Sequence, residues 1–169
     1  MRVGLDIAPL VQTGAGTARV VRGLQRALEG RPRLEIVPLS FGSLGRAATV
    51  ARDVAWYPGG IAWQARDLDV LHCTTMRGPL HARPPVVVTV HDVALLRVPE
   101  AFPVWHRHTG RLALRLAVRS ADAIVAVSAF TRDALADTTA LTSLADPAPT
   151  LPDQHGDYAI AIPGATVTL

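Results

Sequence analysis

The residues best placed by type and spacing to do chemistry are His91 and Asp92, an imidazole and a carboxylate that follow directly on Val86-Val87-Val88-Thr89-Val90. An imidazole titrates near neutrality and a carboxylate accepts hydrogen bonds or a proton, so the pair suits acid–base work, ligand positioning or metal ligation. A short, uninterrupted β-branched run is the pattern of a strand buried on both faces, as in a parallel sheet covered by helices. His91 and Asp92 then stand at that strand's carboxyl end, the edge where open α/β sheets bind ligands.

Other candidates fall on the same edge. Residues 8–16 join a first strand to a helix, and Thr13-Gly14-Ala15-Gly16 lets the backbone turn sharply and present amides at the helix amino terminus, a site for an anion or a hydroxyl. A dinucleotide-binding turn is the obvious rival, but Arg19 stands where its third glycine would be, and Glu35 opens the second strand when ribose recognition needs an acid at the far end. His72 and Cys73 end another apolar segment and lead into a loop, residues 73–78, that contains Thr74. Were His72, Cys73, His91 and Asp92 to converge, they would offer zinc ligands. A Cys73 nucleophile with His91 as base lacks an evident oxyanion turn. Ser128 reads first as the cap of the helix that follows it, with a ligand role secondary. His106 and His108, two apart on a helix, point in different directions and read as surface residues.

The elements that must position these residues follow from periodicity. Strands are expected at 2–7, 34–39, 69–72, 86–90 and 123–127, and helices at 17–28, from after Pro103 to about Arg119, and at 129–136. The long helix is expected to bury Trp105, Leu112 and Leu116. Arg107, Arg111, Arg115 and Arg119 repeat every four residues on another of its faces, a solvated stripe or one drawn to anionic lipid or a phosphorylated acceptor. Residues 41–67 read as a loop-rich excursion, in which Gly42, Gly45, Pro58, Gly59 and Gly60 break one or two short helical pieces around Trp56 and Trp63. A domain over 1–136 is followed by a polar, proline-containing connection over 137–169, with one last strand near 158–162. The order argues for an α/β fold with a Rossmann-like, doubly wound, mainly parallel sheet.

Composition sets outer limits. The 169 residues suffice for one domain, and a lone cysteine excludes an internal disulfide and points to a reducing compartment. The acidic residue at position 6 stands where a leader's apolar region would begin, and no run is long enough to span a bilayer; a cytoplasmic protein is expected, at most peripheral to the inner membrane face. The net charge is only +3, every basic residue is arginine, and there is neither lysine nor asparagine. Such a bias fits a GC-rich coding background better than a nucleic-acid partner, which is not expected.

Several motifs in order carry a family resemblance. Arg2-Val3-Gly4-Leu5-Asp6, Pro9-Leu10, Thr13-Gly14-Ala15-Gly16 and Leu24-Gln25-Arg26-Ala27-Leu28 resemble the opening of glycosyltransferase family 4 enzymes. Asp69-Val70-Leu71-His72, Thr89-Val90-His91-Asp92, Pro99-Glu100-Ala101-Phe102 and the stretch from Ala121 to Thr131 continue it, over about 1–136. The resemblance implies one half of a two-domain GT-B architecture, with this half on the acceptor side. It implies transfer of a hexose, with retention and without a metal or other cofactor, from a nucleotide sugar to a glycan or lipid-linked acceptor.

On that resemblance the Gly14, Ala15 and Gly16 loop approaches the donor's diphosphate and sugar. His91, with Asp92, touches the transferred sugar or orients the acceptor, and Thr74 and Ser128 join the substrate-facing set. Ala8, Thr17 and Ala18 depart from the arginine, arginine and tyrosine common in relatives. The arginine and lysine pair and the glutamate-rich motif of a donor domain have no counterpart in the 169 residues, so a separate donor-domain chain or an excised or truncated domain is expected. The rival function is a non-catalytic α/β binding module.

Overall fold

The computed structural model describes residues 1–12, 16–42, 45–139 and 159–161. Strand β1 (Arg2–Asp6) is followed by a short helix α1 (Ala8–Gln12), helix α2 (Gly16–Glu29) and β2 (Glu35–Leu39). Helix α3 (Arg46–Ala51) runs through a π-helical stretch, Arg52–Gly60, into α4 (Ile61–Gln64), and β3 (Val70–Cys73) and β4 (Val86–Val90) follow. A helical turn α5 (Ala94–Arg97) and a 3-10 turn (Pro99–Ala101) lead into α6 (Val104–Ser120), β5 (Ala123–Ala126), α7 (Ala129–Thr139) and β6 (Ala159–Ala161).

The strands form one sheet in the order β2-β1-β3-β4-β5-β6, parallel throughout except that β6 runs antiparallel to β5. This is the α/β, Rossmann-like arrangement that the apolar runs call for. The chain steps from β1 outward to β2 and returns across β1 to β3, so the direction of winding reverses between β1 and β3. At such a switch point the loops leaving adjacent strands diverge and open a crevice at the carboxyl edge. Gly4 sits mid-strand in β1, where an added Cβ would come within 2.7 Å of a Leu68 methyl and 3.0 Å of one from Leu39.

The core lies on both sides of the central strands. Leu5, Leu71, Val88 and Val90 are fully buried, with Leu114, Ala117 and Val118 of α6 and Trp56, Tyr57 and Ile61 of the α3–α4 segment among their buried neighbours. The amino edge is closed by one device used twice. Asp69 donates its amide to the Arg2 carbonyl at 2.9 Å and accepts the Arg2 amide on its carboxylate at 2.6 Å. Asp122 does the same with Val86, at 2.8 Å in both directions. Each aspartate thereby satisfies the first amide of the neighbouring strand.

Three local expectations are corrected. Part of the supposed loop after β1 is helical, since residues 8–12 form α1. Residues 46–64 form an almost continuous helical passage where glycine and proline suggested only one or two short helical pieces in a loop-rich excursion. The amide of Ile61 bonds to the carbonyl of Trp56, a longer reach than an α-helical bond, so the register accommodates Pro58, which has no amide to offer. On α6, Trp105 and Leu112 are 55% and 58% exposed, Leu116 is half-buried, and Leu114, Ala117 and Val118 form the inward face. Apolar residues occur on several faces of this helix, and small Ala117 allows the close approach of Gly78.

Replacing Asp122 by alanine removes the carboxylate acceptor of the Val86 amide. The expected loss is about 1 kcal/mol of unfolding free energy in urea titrations, with the exposed Asp69→Ala change costing about the same or less. The two losses should add in the double variant, since the devices share no partner.

Candidate functional site

Three neighbouring strands are tied at their carboxyl ends by one residue. Thr74 directly follows β3, and its buried hydroxyl donates to the main-chain carbonyl of Asp6, the last residue of β1, at 2.6 Å. The main-chain carbonyl of Thr74 in turn accepts from Nε2 of His91, directly after β4, at 2.8 Å. A carbonyl oxygen only accepts, so this contact places a proton on Nε2 of His91. In the neutral ring the lone pair is therefore on Nδ1. His91 is half-buried, and its Nδ1 has no hydrogen-bond partner among the described residues.

The other expected site residues are placed as follows. Asp92 is exposed, and its Oδ1 accepts the Ala94 amide at 2.9 Å, capping the turn α5. Gly16 opens α2 and is exposed, while Gly14 and Ala15 lie outside the described residues. The Ser128 hydroxyl accepts the Thr131 amide at 3.1 Å and lies 3.1 Å from the Thr131 hydroxyl, the capping role expected for it at the start of α7. Thr74, at 2% exposure, spends its hydroxyl within the fold. His72 is turned to the Thr89 hydroxyl at 2.8 Å. Among the described residues, the zinc alternative's four members do not assemble, and no group of His, Cys, Asp and Glu could hold a metal ion. Burial, and secondarily the Asp6 charge, push the Cys73 thiol far above its ordinary range, which removes it as a nucleophile near neutral pH.

Two residues that sequence reasoning did not single out for the site complete it. The Asp6 carboxylate is fully buried; it accepts the Ala8 amide at 3.0 Å and the Tyr57 hydroxyl at 3.2 Å. Burial pushes its pKa up to about 6, against the pull of the Ala8 amide, Tyr57, Arg52 and Arg77. The same burial, reinforced by Asp6, holds the Tyr57 phenol well above its usual value, so Tyr57 remains a donor. Arg77 lies 5.9 Å from the Tyr57 ring centroid and pairs with Asp53 at 3.1 Å. An acid at the carboxyl end of an apolar strand is the signal that marked Asp92, and it applied equally to Asp6. Tyr57 carried no signal, because its surroundings read as loop.

The two buried titrating groups oppose one another. His72 is pushed down to about 4, first by burial and then by the proximity of His91. Asp6 holds its proton more tightly folded than unfolded, so its contribution to stability falls as pH rises from 3.8 to about 6. His72 binds its proton more weakly folded than unfolded, so its contribution rises from about 4 to 6.5. Each window exceeds two pH units and corresponds to roughly 3 kcal/mol, so the wild-type stability should be nearly flat across this range. Urea midpoints taken across the range should rise with pH in Asp6→Asn, and fall with pH in His72→Gln.

The family model for Glycosyltransferase Family 4 matches residues 15–142, a stretch that begins one residue before α2 and takes in His91 and the whole of α6. No curated protein matches the chain. With the parallel sheet, the strand-end histidine and a match over most of its length, the chain belongs to glycosyltransferase family 4.

Proposed function

We propose that this chain is the acceptor-side half of a retaining glycosyltransferase that moves a hexose from a nucleotide sugar to a glycan or lipid-linked acceptor. On this reading it works against a donor-binding domain supplied in the same polypeptide or by a separate chain. The observation that carries the reading is His91, held at the crevice edge by the Thr74 carbonyl with Nδ1 left as an acceptor. A nitrogen with a lone pair can take a hydrogen bond from a sugar or acceptor hydroxyl and hold that group in line as the bond to the leaving group lengthens. The amides at the start of α2, where Gly16 is exposed, suit the donor's diphosphate.

The remaining requirements of transfer fall to the partner domain. Charge developing on a nucleoside diphosphate calls for fixed cations, and exclusion of water calls for a second wall over the crevice. No second sheet of this type occurs among the described residues. The reading as a binding module draws on a different observation, that Asp92, Thr74 and Ser128 are each committed to local structure.

The two readings separate on activity. The purified 169-residue chain should show neither heat of nucleotide-sugar binding by calorimetry nor sugar transfer, and activity should appear when a family donor domain is fused or added. In the completed enzyme His91→Ala should lower kcat about a hundredfold or more with a small change in melting temperature, because the interaction gains its value in the transition state. Unchanged kcat with a large fall in melting temperature would return His91 to a structural role and leave the binding-module reading.

A further inference from the structure

Helix α6 carries an outward face that the fold leaves uncovered. Trp105 and Leu112 on this helix are 55% and 58% exposed, and they line a groove together with Leu80 at 57% and Val54 at 70%. The groove encloses about 260 Å³ and runs between the π-helical stretch, the loop after Arg77 and α6. Two of its lining residues are tied together, since the Leu80 amide bonds to the Pro58 carbonyl at 3.1 Å. The only charged groups lining it, Asp53 and Arg77, neutralise each other.

The charge beside this apolar face has one sign. Helix α6 contains four arginines, two histidines and no acid in its 17 residues. The structure divides the arginine stripe. Arg107 is spent on the carbonyls of Phe102 and Glu100, at 2.8 and 3.2 Å, and Arg111 is half-buried. Arg115 and Arg119 remain exposed and make no ion pair or hydrogen bond among the described residues. The loop that carries Leu80 continues to His81 and Arg83, both also exposed.

We propose that this flank docks on the anionic surface of a lipid bilayer, with Trp105, Leu112, Leu80 and Val54 entering the interfacial layer and Arg115 and Arg119 meeting lipid phosphates. An aromatic ring and aliphatic side chains beside unpaired arginines are the composition of an interfacial helix face. Charge decides against a second copy of the chain: a symmetric dimer through this face would set Arg115 and Arg119 of both copies together with no acid of α6 to meet them. No helix among the described residues is long and apolar enough to cross a membrane, so contact would be with the surface. This inference stands apart from the sugar-transfer reading, because it needs neither His91 nor a donor domain.

The test is sedimentation of the 169-residue chain with vesicles of phosphatidylcholine alone or of phosphatidylcholine mixed with phosphatidylglycerol. Binding is expected to the mixed vesicles only, and to weaken as salt is raised. Arg115→Gln combined with Arg119→Gln should weaken it about 30-fold, and Trp105→Ala combined with Leu112→Ala about tenfold or more. Both pairs are exposed, so circular dichroism should match the wild type. Equal binding to both vesicle types, no binding to either, or binding that survives both pairs of changes would overturn the proposal. So would a concentration-dependent dimer in light scattering that Trp105→Ala abolishes, since a second copy would then own the face.

Discussion

The rest of the site depends on the bond from the Thr74 hydroxyl to the Asp6 carbonyl, 2.6 Å long and out of reach of water. Strands of a twisted sheet diverge beyond their last ladder bond, and here they diverge at the switch point, where loops leave in opposite directions. Thr74 spans that opening. Its hydroxyl holds the end of β1, and its carbonyl holds the ring of His91 at the end of β4. A threonine does this where a valine of equal shape could not, because the Asp6 carbonyl would then be buried without its donor. The constraint reaches His91 through the main chain, so the imidazole is positioned by the sheet and not by another mobile side chain.

The Asp6 side chain extends the same anchor to the helical segments. One oxygen receives the Ala8 amide, fixing where α1 begins, and the other receives Tyr57 from the π-helical stretch. A buried carboxylate is costly unless its lone pairs are occupied, and these donors occupy both oxygens. Even so burial pushes the carboxyl up to about 6. His72 lies on β3, the next strand, with the opposite pH response, so the fold carries two strained protonation equilibria whose effects on stability nearly cancel.

What could be read from the sequence was what repeats along the chain. Residues 86–90 show the principle: five β-branched residues in a row are a strand in any context, and β4 has those bounds. The strand-end position of His91 and the cap role of Ser128 followed from the same local rules. What was illegible depends on contacts distant in sequence. Pro58, Gly59 and Gly60 read as breakers, yet all three are helical, and the Pro58 carbonyl accepts the amide of Leu80 from a distant loop at 3.1 Å. The outward turn of Trp105 and Leu112 was hidden for a related reason. Helix α6 has apolar residues on more than one face, and the choice of inward face was made by the loop at Gly78 lying against Ala117. Tyr57 acquires its meaning only when Asp6, 51 residues away, is beside it.

The tautomer of His91 limits the chemistry open to its ring. With Nε2 donating to a main-chain carbonyl that cannot donate in return, the neutral ring offers substrate an acceptor at Nδ1 and no second donor. It can orient a hydroxyl or take up a proton. From Nδ1 it has a proton to give only in the charged ring. Asp92, the neighbouring acid, has turned its Oδ1 to the Ala94 amide. In the neutral ring Nδ1 can therefore only accept, and under the proposed transfer assistance to a departing diphosphate would fall to groups of the donor-binding domain. An acceptor nitrogen fixed by the sheet is what the proposed orientation of a sugar hydroxyl would require, and that fixing follows from one carbonyl of Thr74.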